Sequence, residues 1–257
     1  MAEDFEAQTP RKSTDLSRIL KLKFGIEKTD YSVSIYIGEF FGTFFFFLSA
    51  FLIASSANNI LHVGGENARL LVIAIGFGFS LFVAASCFGF LSGGHYNPGV
   101  SCGLFLTGQI SLLRFFLESV TQIISGMCAA GAASAMIAGP ITFANIKQPD
   151  VSVTRGLFLE ATGICLLNLA VFMTNEPFKI GFSLFLGHLF CVDTTGAGIN
   201  PARAFGPCVA ARSFPGYHWI YWIGPIIGAI VSAAIYDITE IAAVKTDPNY
   251  KKDIKSE

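Results

Sequence analysis

Charged residues are scarce in this sequence, at 14% of 257 residues, and the formal net charge is only −1. A chain with so little charge offers no basic surface, so we expect no nucleic-acid partner. The six cysteines show neither metal-ligand spacing nor a disulfide framework. The sequence also shows no nucleophile–base set and no phosphate-binding loop. We therefore expect a protein that is not an enzyme and that binds no cofactor and no metal.

Apolar residues make up 53% of the chain, and the mean hydropathy is +0.58. These values are typical of a membrane protein with several spans. Six apolar segments of roughly 20 residues, enough to cross a lipid bilayer, are predicted. They cover approximately 32–57, 70–92, 112–138, 156–174, 179–193 with its flanks, and 217–239, and the fifth is the shortest. Two apolar stretches, 97–107 and 200–211, are too short to span and are predicted to be re-entrant half-helices.

Both short stretches begin with the same motif, Asn97-Pro98-Gly99 in the first and Asn200-Pro201-Ala202 in the second. An asparagine can cap a helix, and a proline is well suited to the first helical position. One such motif is only a turn signal, but two in equivalent positions indicate a duplicated membrane protein with a pore between two half-helices. We expect each asparagine to accept a backbone N–H and to aim its NH₂ group into the pore.

Two isolated carboxylates, Glu39 and Glu160, occupy equivalent places in the first and fourth spans. Because an unpaired charge within a membrane is costly, each is expected to accept hydrogen bonds from nearby backbone. Three spans per half is an odd number, so the halves must insert in opposite orientations. The prediction is an all-α membrane protein with an inverted internal repeat. Its channel domain covers 32–240, with repeats at about 32–138 and 156–240, and tails at 1–31 and 241–257.

Lysine and arginine predict the orientation of the chain in the membrane. If both termini lie on one side, twelve of the 17 basic residues lie there too, ten of them in the two tails. Cytoplasmic loops carry such an excess, so both termini are predicted to be cytoplasmic. The protein is expected in the plasma membrane or an intracellular vacuolar membrane.

Taken together, these motifs resemble the aquaporins of the major intrinsic protein family. The resemblance covers about residues 32–240 and includes Gln109 to Arg114, Gly187-His188-Leu189 and Tyr217 to Pro225. It implies six tilted helices plus two half-helices, a homotetramer with one pore per subunit, and water as the permeant. Opposed half-helix N-termini carry partial positive charge, which in aquaporin-type pores excludes protons and other cations.

The resemblance assigns four residues to the outer constriction of the pore, the selectivity filter: Phe77, His188, Ala197 and Arg203. A lone arginine within a membrane is costly and should border a wet cavity. Glycerol-conducting relatives typically have Trp at the Phe77 position and Gly at the His188 position, so a water channel is expected.

Gly99 departs from the usual Ala, and we expect its missing methyl group to loosen the contact between the half-helices without stopping conduction.

Two alternatives to a water channel stay open. A broader pore could pass hydrogen peroxide, ammonia, urea or glycerol, and Phe77 and His188 argue against glycerol but not against peroxide. A closed structural or adhesion member of the family is the other alternative. Long apolar outer loops would favour adhesion, and the predicted outer loops at 58–69, 139–155 and 194–216 are ordinary.

Two further expectations concern charges near the cytoplasmic side. Glu118 follows Arg114 by four residues and is expected to form an ion pair with it near the cytoplasmic end of the third span rather than to line the pore. The N-terminal tail mixes apolar and basic residues over 16–26, and Ser13 and Thr14 resemble a kinase site. This tail is predicted to control the cytoplasmic mouth, with a solvated tether that leaves permeability unchanged as the alternative.

Overall fold

The computed structural model describes residues 32–60 and 66–246, and these residues form eight α-helices and no β-strand. Six helices are long, and two, α3 and α7, are short. In chain order they are α1 Val33–Ile60, α2 Glu66–Ser92, α3 Pro98–Leu106, α4 Leu112–Met136, α5 Val153–Met173, α6 Pro177–Thr195, α7 Pro201–Ala211 and α8 Ile220–Thr246. The predicted all-α fold with six long helices and two half-helices is confirmed. The N-terminal tail, with Ser13 and Thr14, and residues 247–257 of the C-terminal tail lie outside the described residues.

Five of the long helices are apolar enough and long enough to cross a membrane. The sixth, α6, has 19 residues, and at 1.5 Å per residue it is about 28 Å long. Several helices extend beyond the predicted spans: α1 reaches Ile60 rather than 57, α5 begins at Val153 rather than 156, and α8 runs to Thr246 rather than 239. Hydropathy marks the apolar part of a helix, whereas local caps mark its ends. At α5, for example, the Ser152 side chain accepts the N–H of Arg155.

The helices pack as two equivalent halves. α1 packs against α2 and α4, and in the same way α5 packs against α6 and α8. Each half-helix lies against the last helix of the other half, α3 against α8 and α7 against α4. At the α4–α7 crossing, a Cβ atom on Gly206 would overlap the carbonyl oxygen of Gly126. Only glycine permits this approach of two helix backbones, which is a common way to pack helices in membranes.

Candidate pore

The two half-helices begin at asparagines with nearly identical backbone geometry. Asn97 has φ −157° and ψ 117°, and Asn200 has φ −158° and ψ 116°. Asn97 Oδ1 accepts the N–H of Gly99 at 2.8 Å, and Asn200 Oδ1 accepts that of Ala202 at 3.0 Å. The first helical positions hold prolines, Pro98 and Pro201. Both short stretches therefore start with the capping chemistry that their sequence predicts.

Each asparagine also reaches across to the opposite half. Asn97 Nδ2 donates to the carbonyl oxygen of Ile199 at 2.9 Å, and Asn200 Nδ2 donates to that of Tyr96 at 2.9 Å. Tyr96 and Ile199 have φ of 48° and 52°, a left-handed conformation that few residues other than glycine adopt. Because an NH₂ group has two hydrogens, each asparagine retains one for a molecule in the lumen. The sequence did not predict this reciprocal contact between the half-helices.

The loop before the second half-helix is held by Glu160, which is fully buried in α5. Its carboxylate accepts the hydroxyl of Thr195 at 2.5 Å, the N–H of Gly198 at 2.9 Å and the N–H of Ile199. Hydrogen bonds to an ionised acceptor are stronger than those between neutral groups. Glu160 therefore determines the course of the backbone that leads into Asn200.

Glu39 has the same role in the first half and is also fully buried. It accepts the N–H groups of His95 at 3.0 Å and Tyr96 at 2.8 Å, the hydroxyl of Ser92 at 2.6 Å and Nε2 of Gln122 at 2.7 Å. Each carboxylate thus accepts the backbone N–H groups of the two residues that directly precede a half-helix asparagine. This is the arrangement expected of a carboxylate buried within a membrane.

Glu118 forms the predicted ion pair with Arg114, whose Nε lies 2.7 Å from Glu118 Oε1. The pair is not exposed, however, because Glu118 is fully buried. Its other oxygen lies 2.7 Å from His95 Nδ1 and accepts the hydroxyl of Ser101 at 2.8 Å. Glu118 therefore connects α4 to the loop before α3 and to α3 itself, which spacing along one helix does not reveal.

Glu39, His95 and Glu118 place one potential metal-ligand atom each within 4.8 Å of one another. All four carboxylate oxygens already accept hydrogen bonds, and the Arg114 guanidinium contacts one of them. A divalent cation would have to displace these donors against a neighbouring positive charge. The expectation that the protein binds no metal therefore stands as a prediction for this cluster.

A narrow cavity with a volume of about 10 Å³ runs between the half-helices, and both asparagines line it. Two wider spaces adjoin it. The His95 vestibule, of about 500 Å³, shares His95 with the narrow cavity, and the Arg203 vestibule, of about 310 Å³, shares Arg203 with it. Since a water molecule needs about 10–15 Å³ of such space, the narrow cavity has room for about one water molecule.

Three of the four predicted filter residues line the narrow cavity together. The rings of Phe77 and His188 stack with centroids 4.3 Å apart, and Arg203 Cζ lies 4.8 Å from the Phe77 ring centre. Among the described residues, neither His188 Nε2 nor Arg203 Nε has a hydrogen-bond partner, although both side chains are buried. The fourth residue, Ala197, is buried in the loop before α7 and does not line this cavity.

Two aromatic residues that the sequence did not single out complete the surroundings of Arg203. Its Nη1 donates to the carbonyl oxygen of Phe143 at 3.0 Å, and its Cζ lies 5.5 Å from the ring centre of Phe51. The rings of Phe51 and Phe143 stack with centroids 4.7 Å apart. Nothing in the sequence distinguishes these two among 26 phenylalanines.

Gly99 does not face the opposite half-helix, so that expectation is wrong. A Cβ atom at Gly99 would lie 3.0 Å from Ile164 Cγ1 in α5 and 3.1 Å from Pro225 Cβ in α8. The missing methyl group therefore makes room for the packing of α3 against these two long helices. Its absence leaves the Asn97 cap unchanged.

Gly99→Ala is expected to lower the stability of the protein without changing water flux per channel. Overpacking costs about 1–3 kcal/mol, whereas replacing glycine with alanine in a helix gains at most about 1 kcal/mol. Thermal unfolding in detergent measures the difference. Gly131→Ala in α4 is the matched control, because nothing lies within 4 Å of its added Cβ. If Gly99→Ala stabilised the protein as much as Gly131→Ala, the packing argument would be wrong.

A bundle of apolar helices around a water-sized cavity between two opposed half-helices defines an integral membrane channel. The family model of the major intrinsic proteins matches residues 27–236, and the chain belongs to that family. It is 42% identical to Aquaporin-2 of Saccharomyces cerevisiae over 230 residues, which cover 84% of this chain and 80% of that protein. It is 38% identical to Aquaporin-1 of Bos taurus over 179 residues, covering 64% and 65% of the two chains.

The fold is also that of a solved structure, the X-ray structure of the aquaglyceroporin from Plasmodium falciparum. The TM-score is 0.68, and the match covers 79% of this chain and 96% of that chain. Sequence identity is 19%, so this similarity is evidence for the fold alone.

Proposed function

We propose that this protein is a water channel, which conducts water passively and excludes protons and glycerol through a pore in each subunit of a homotetramer. The observation that carries the proposal is the narrow cavity of about 10 Å³ bordered by Phe77, His188 and Arg203. Glycerol is several times larger than water and carries a carbon backbone that needs an apolar wall. A lumen with room for one water and with free polar atoms favours water.

The polar groups of the lumen account for conduction without proton transfer. Asn97 and Asn200 each have one free N–H to donate to a passing water, which must then direct its own hydrogens away from both asparagines. The half-helix N-termini add partial positive charge at the same place. A chain of waters whose orientation reverses at this point cannot relay a proton, and a cation is repelled.

Water permeability of proteoliposomes tests the proposal. Purified protein is reconstituted, and vesicle shrinkage in a sucrose gradient is followed by stopped-flow light scattering. Vesicles with protein should shrink faster than empty ones, in proportion to the number of channels. Equal rates would favour the alternative of a closed structural or adhesion member.

For orientation, we propose that both termini are cytoplasmic, which places the His95 vestibule inside and the Arg203 vestibule outside. The excess of lysine and arginine in the tails supports this orientation. The channel would then reside in the plasma membrane or a vacuolar membrane, with its filter facing away from the cytoplasm.

For regulation, we propose that the N-terminal tail narrows the cytoplasmic mouth. The connection between α5 and α6 spans only residues 174–176, too few to fold far across the His95 vestibule unless the flanking helix ends unwind. The N-terminal tail, residues 1–31, lies outside the described residues, and its 31 residues are enough to reach across the vestibule. Its basic residues can also bind anionic lipid, and a phosphate at Ser13 or Thr14 would weaken that attraction.

Deleting residues 2–26 is expected to raise water permeability per channel, because a segment that covers the mouth is removed. The full chain, the deletion and Ser13→Asp are compared in the same liposomes at matched channel number. Equal permeability of all three would show that the tail is a solvated tether.

A further inference from the structure

Arg203 belongs to α7, but its guanidinium is held in place by a loop. Its Nη1 donates to the carbonyl oxygen of Phe143, which lies in the connection between α4 and α5, residues 137–152. We name this connection the filter loop. Among the described residues, the Phe143 carbonyl is the hydrogen-bond acceptor of the Arg203 side chain, and Nε has none. The position of the guanidinium therefore depends on what fixes the filter loop.

A chain of three side chains from three helices leads to the filter loop next to Phe143, and the last of them, Asn58, contacts the loop. Asn58, near the end of α1, donates from Nδ2 to the carbonyl oxygen of Thr142 at 2.7 Å. Arg69, near the start of α2, donates to Asn58 Oδ1 at 3.3 Å, and its Nη2 lies 2.5 Å from Asp193 Oδ1 in α6. We name these three side chains, Asp193, Arg69 and Asn58, the bracket. Asn58, Arg69 and the filter loop all border the Arg203 vestibule.

The Phe143 ring gives the filter loop a second connection to the filter. It stacks on Phe51, whose ring faces the Arg203 guanidinium from one side while Phe77 approaches it at 4.8 Å. A displacement of the filter loop would therefore move both the acceptor of Arg203 and one of the rings beside it. Cation–π contacts of this kind depend on the distance between the cation and the ring.

We propose that the bracket is a positioning device for the selectivity filter: it fixes the Phe143 carbonyl and through it the Arg203 guanidinium at the wall of the pore. The inference rests on the proposed water-channel function. Without the bracket, the guanidinium loses its acceptor and turns towards the water of the lumen, where it narrows the constriction. The Asp193–Arg69 ion pair is 30–40% exposed and contributes little by itself. The bracket therefore acts through the bond from Asn58 to the Thr142 carbonyl, next to the bond that the Thr142 hydroxyl donates to Ser55 Oγ.

Asn58→Asp breaks that connection with little change of shape. The aspartate keeps an acceptor for Arg69 but replaces the Nδ2 donor with an oxygen that repels the Thr142 carbonyl. Asn59→Asp is the matched control, since it makes the same charge change one residue later. Asn59 Nδ2 donates to Ser55 Oγ at 3.3 Å, which also accepts the Thr142 hydroxyl at 3.2 Å, so Asn59→Asp leaves the bond from Asn58 to the Thr142 carbonyl in place.

Water flux per channel is measured for both variants in proteoliposomes, together with its temperature dependence and the thermal stability of each protein. A net hydrogen bond changes the ratio of two conformations about threefold to tenfold. We expect the flux of Asn58→Asp to fall by about that factor, with a steeper temperature dependence than Asn59→Asp at similar stability. Equal fluxes and temperature dependences in the two variants would overturn the proposal.

Structures of both variants separate this proposal from the proposed function. The hydrogen bond from Arg203 to Phe143 should be lost in Asn58→Asp and kept in Asn59→Asp, whether or not the parent protein conducts water. An intact bond in Asn58→Asp overturns the bracket, while a parent without water flux overturns only the function.

Should Asn58→Asp not fold, Asp193→Asn weakens the same chain of contacts from its other end. It should displace the guanidinium in the same direction, and an unmoved guanidinium would contradict the proposal.

Discussion

Replacing Phe77 and His188 together with alanine is expected to admit glycerol or urea to the pore while water flux continues. The two rings stack at 4.3 Å and, with Arg203, border the narrow cavity. Their removal widens the constriction and replaces the polar His188 ring with an apolar methyl group, so that a carbon backbone can pass. A barrier lowered by 1.4 kcal/mol raises a rate about tenfold, so we expect glycerol flux to rise by about tenfold or more.

The measurement is glycerol uptake by proteoliposomes after an osmotic step, normalised to channel number. Phe79→Ala is the matched control, because it removes the same ring from the same helix at a position where the side chain is 51% exposed on the outside of the bundle. The control should stay as glycerol-tight as the parent. A double variant that folds, conducts water and excludes glycerol as well as the parent does would show that the filter lies elsewhere.

Glu160→Gln is expected to destabilise the folded channel strongly. Glu160 accepts hydrogen bonds from Thr195, Gly198 and Ile199 without any exposure to solvent. A glutamine keeps one acceptor oxygen and sets an NH₂ group against the remaining donors. A buried donor left unsatisfied costs about 1–3 kcal/mol, and more than one of the three donors loses its acceptor in this variant.

Thermal unfolding in detergent and the yield of monodisperse protein measure this loss. Glu176→Gln provides the control, because Glu176 is 64% exposed and pairs with Lys179, which is 58% exposed. Such surface pairs contribute about 0–1 kcal/mol, so the control should unfold almost as the parent does. Similar unfolding of the two variants would mean that Glu160 does not hold the loop before the second half-helix.

The parts of the pore that the sequence predicted depend on local chemistry. Asn97 and Asn200 cap helices whose first residue is proline, and both capping atoms lie within three residues of the N–H groups they accept. Glu39 and Glu160 were recognisable because a lone carboxylate in an apolar helix needs donors. The inverted arrangement then followed from three spans per half.

The parts that the sequence missed depend on contacts between distant residues. Asn58 and Thr142 are 84 residues apart, and Arg69 and Asp193 are 124 apart. Nothing in the pattern around Asn58 distinguishes it from Asn59, although only one of them reaches the filter loop. Glu118 is a second example. Its spacing from Arg114 predicted their ion pair, but it did not predict that Glu118 is buried against His95 and Ser101. Three-dimensional packing decides which polar side chains meet, and periodicity along one helix carries no information on it.

Water and glycerol fluxes measured in one preparation of proteoliposomes test the central claim most directly. The vesicles are exposed first to a sucrose gradient and then to an equal glycerol gradient. A water-selective pore predicts fast shrinkage in both, with recovery of volume in glycerol no faster than in empty vesicles. Recovery that quickens in proportion to the number of channels would contradict a filter formed by Phe77, His188 and Arg203, and would instead indicate a pore that conducts glycerol.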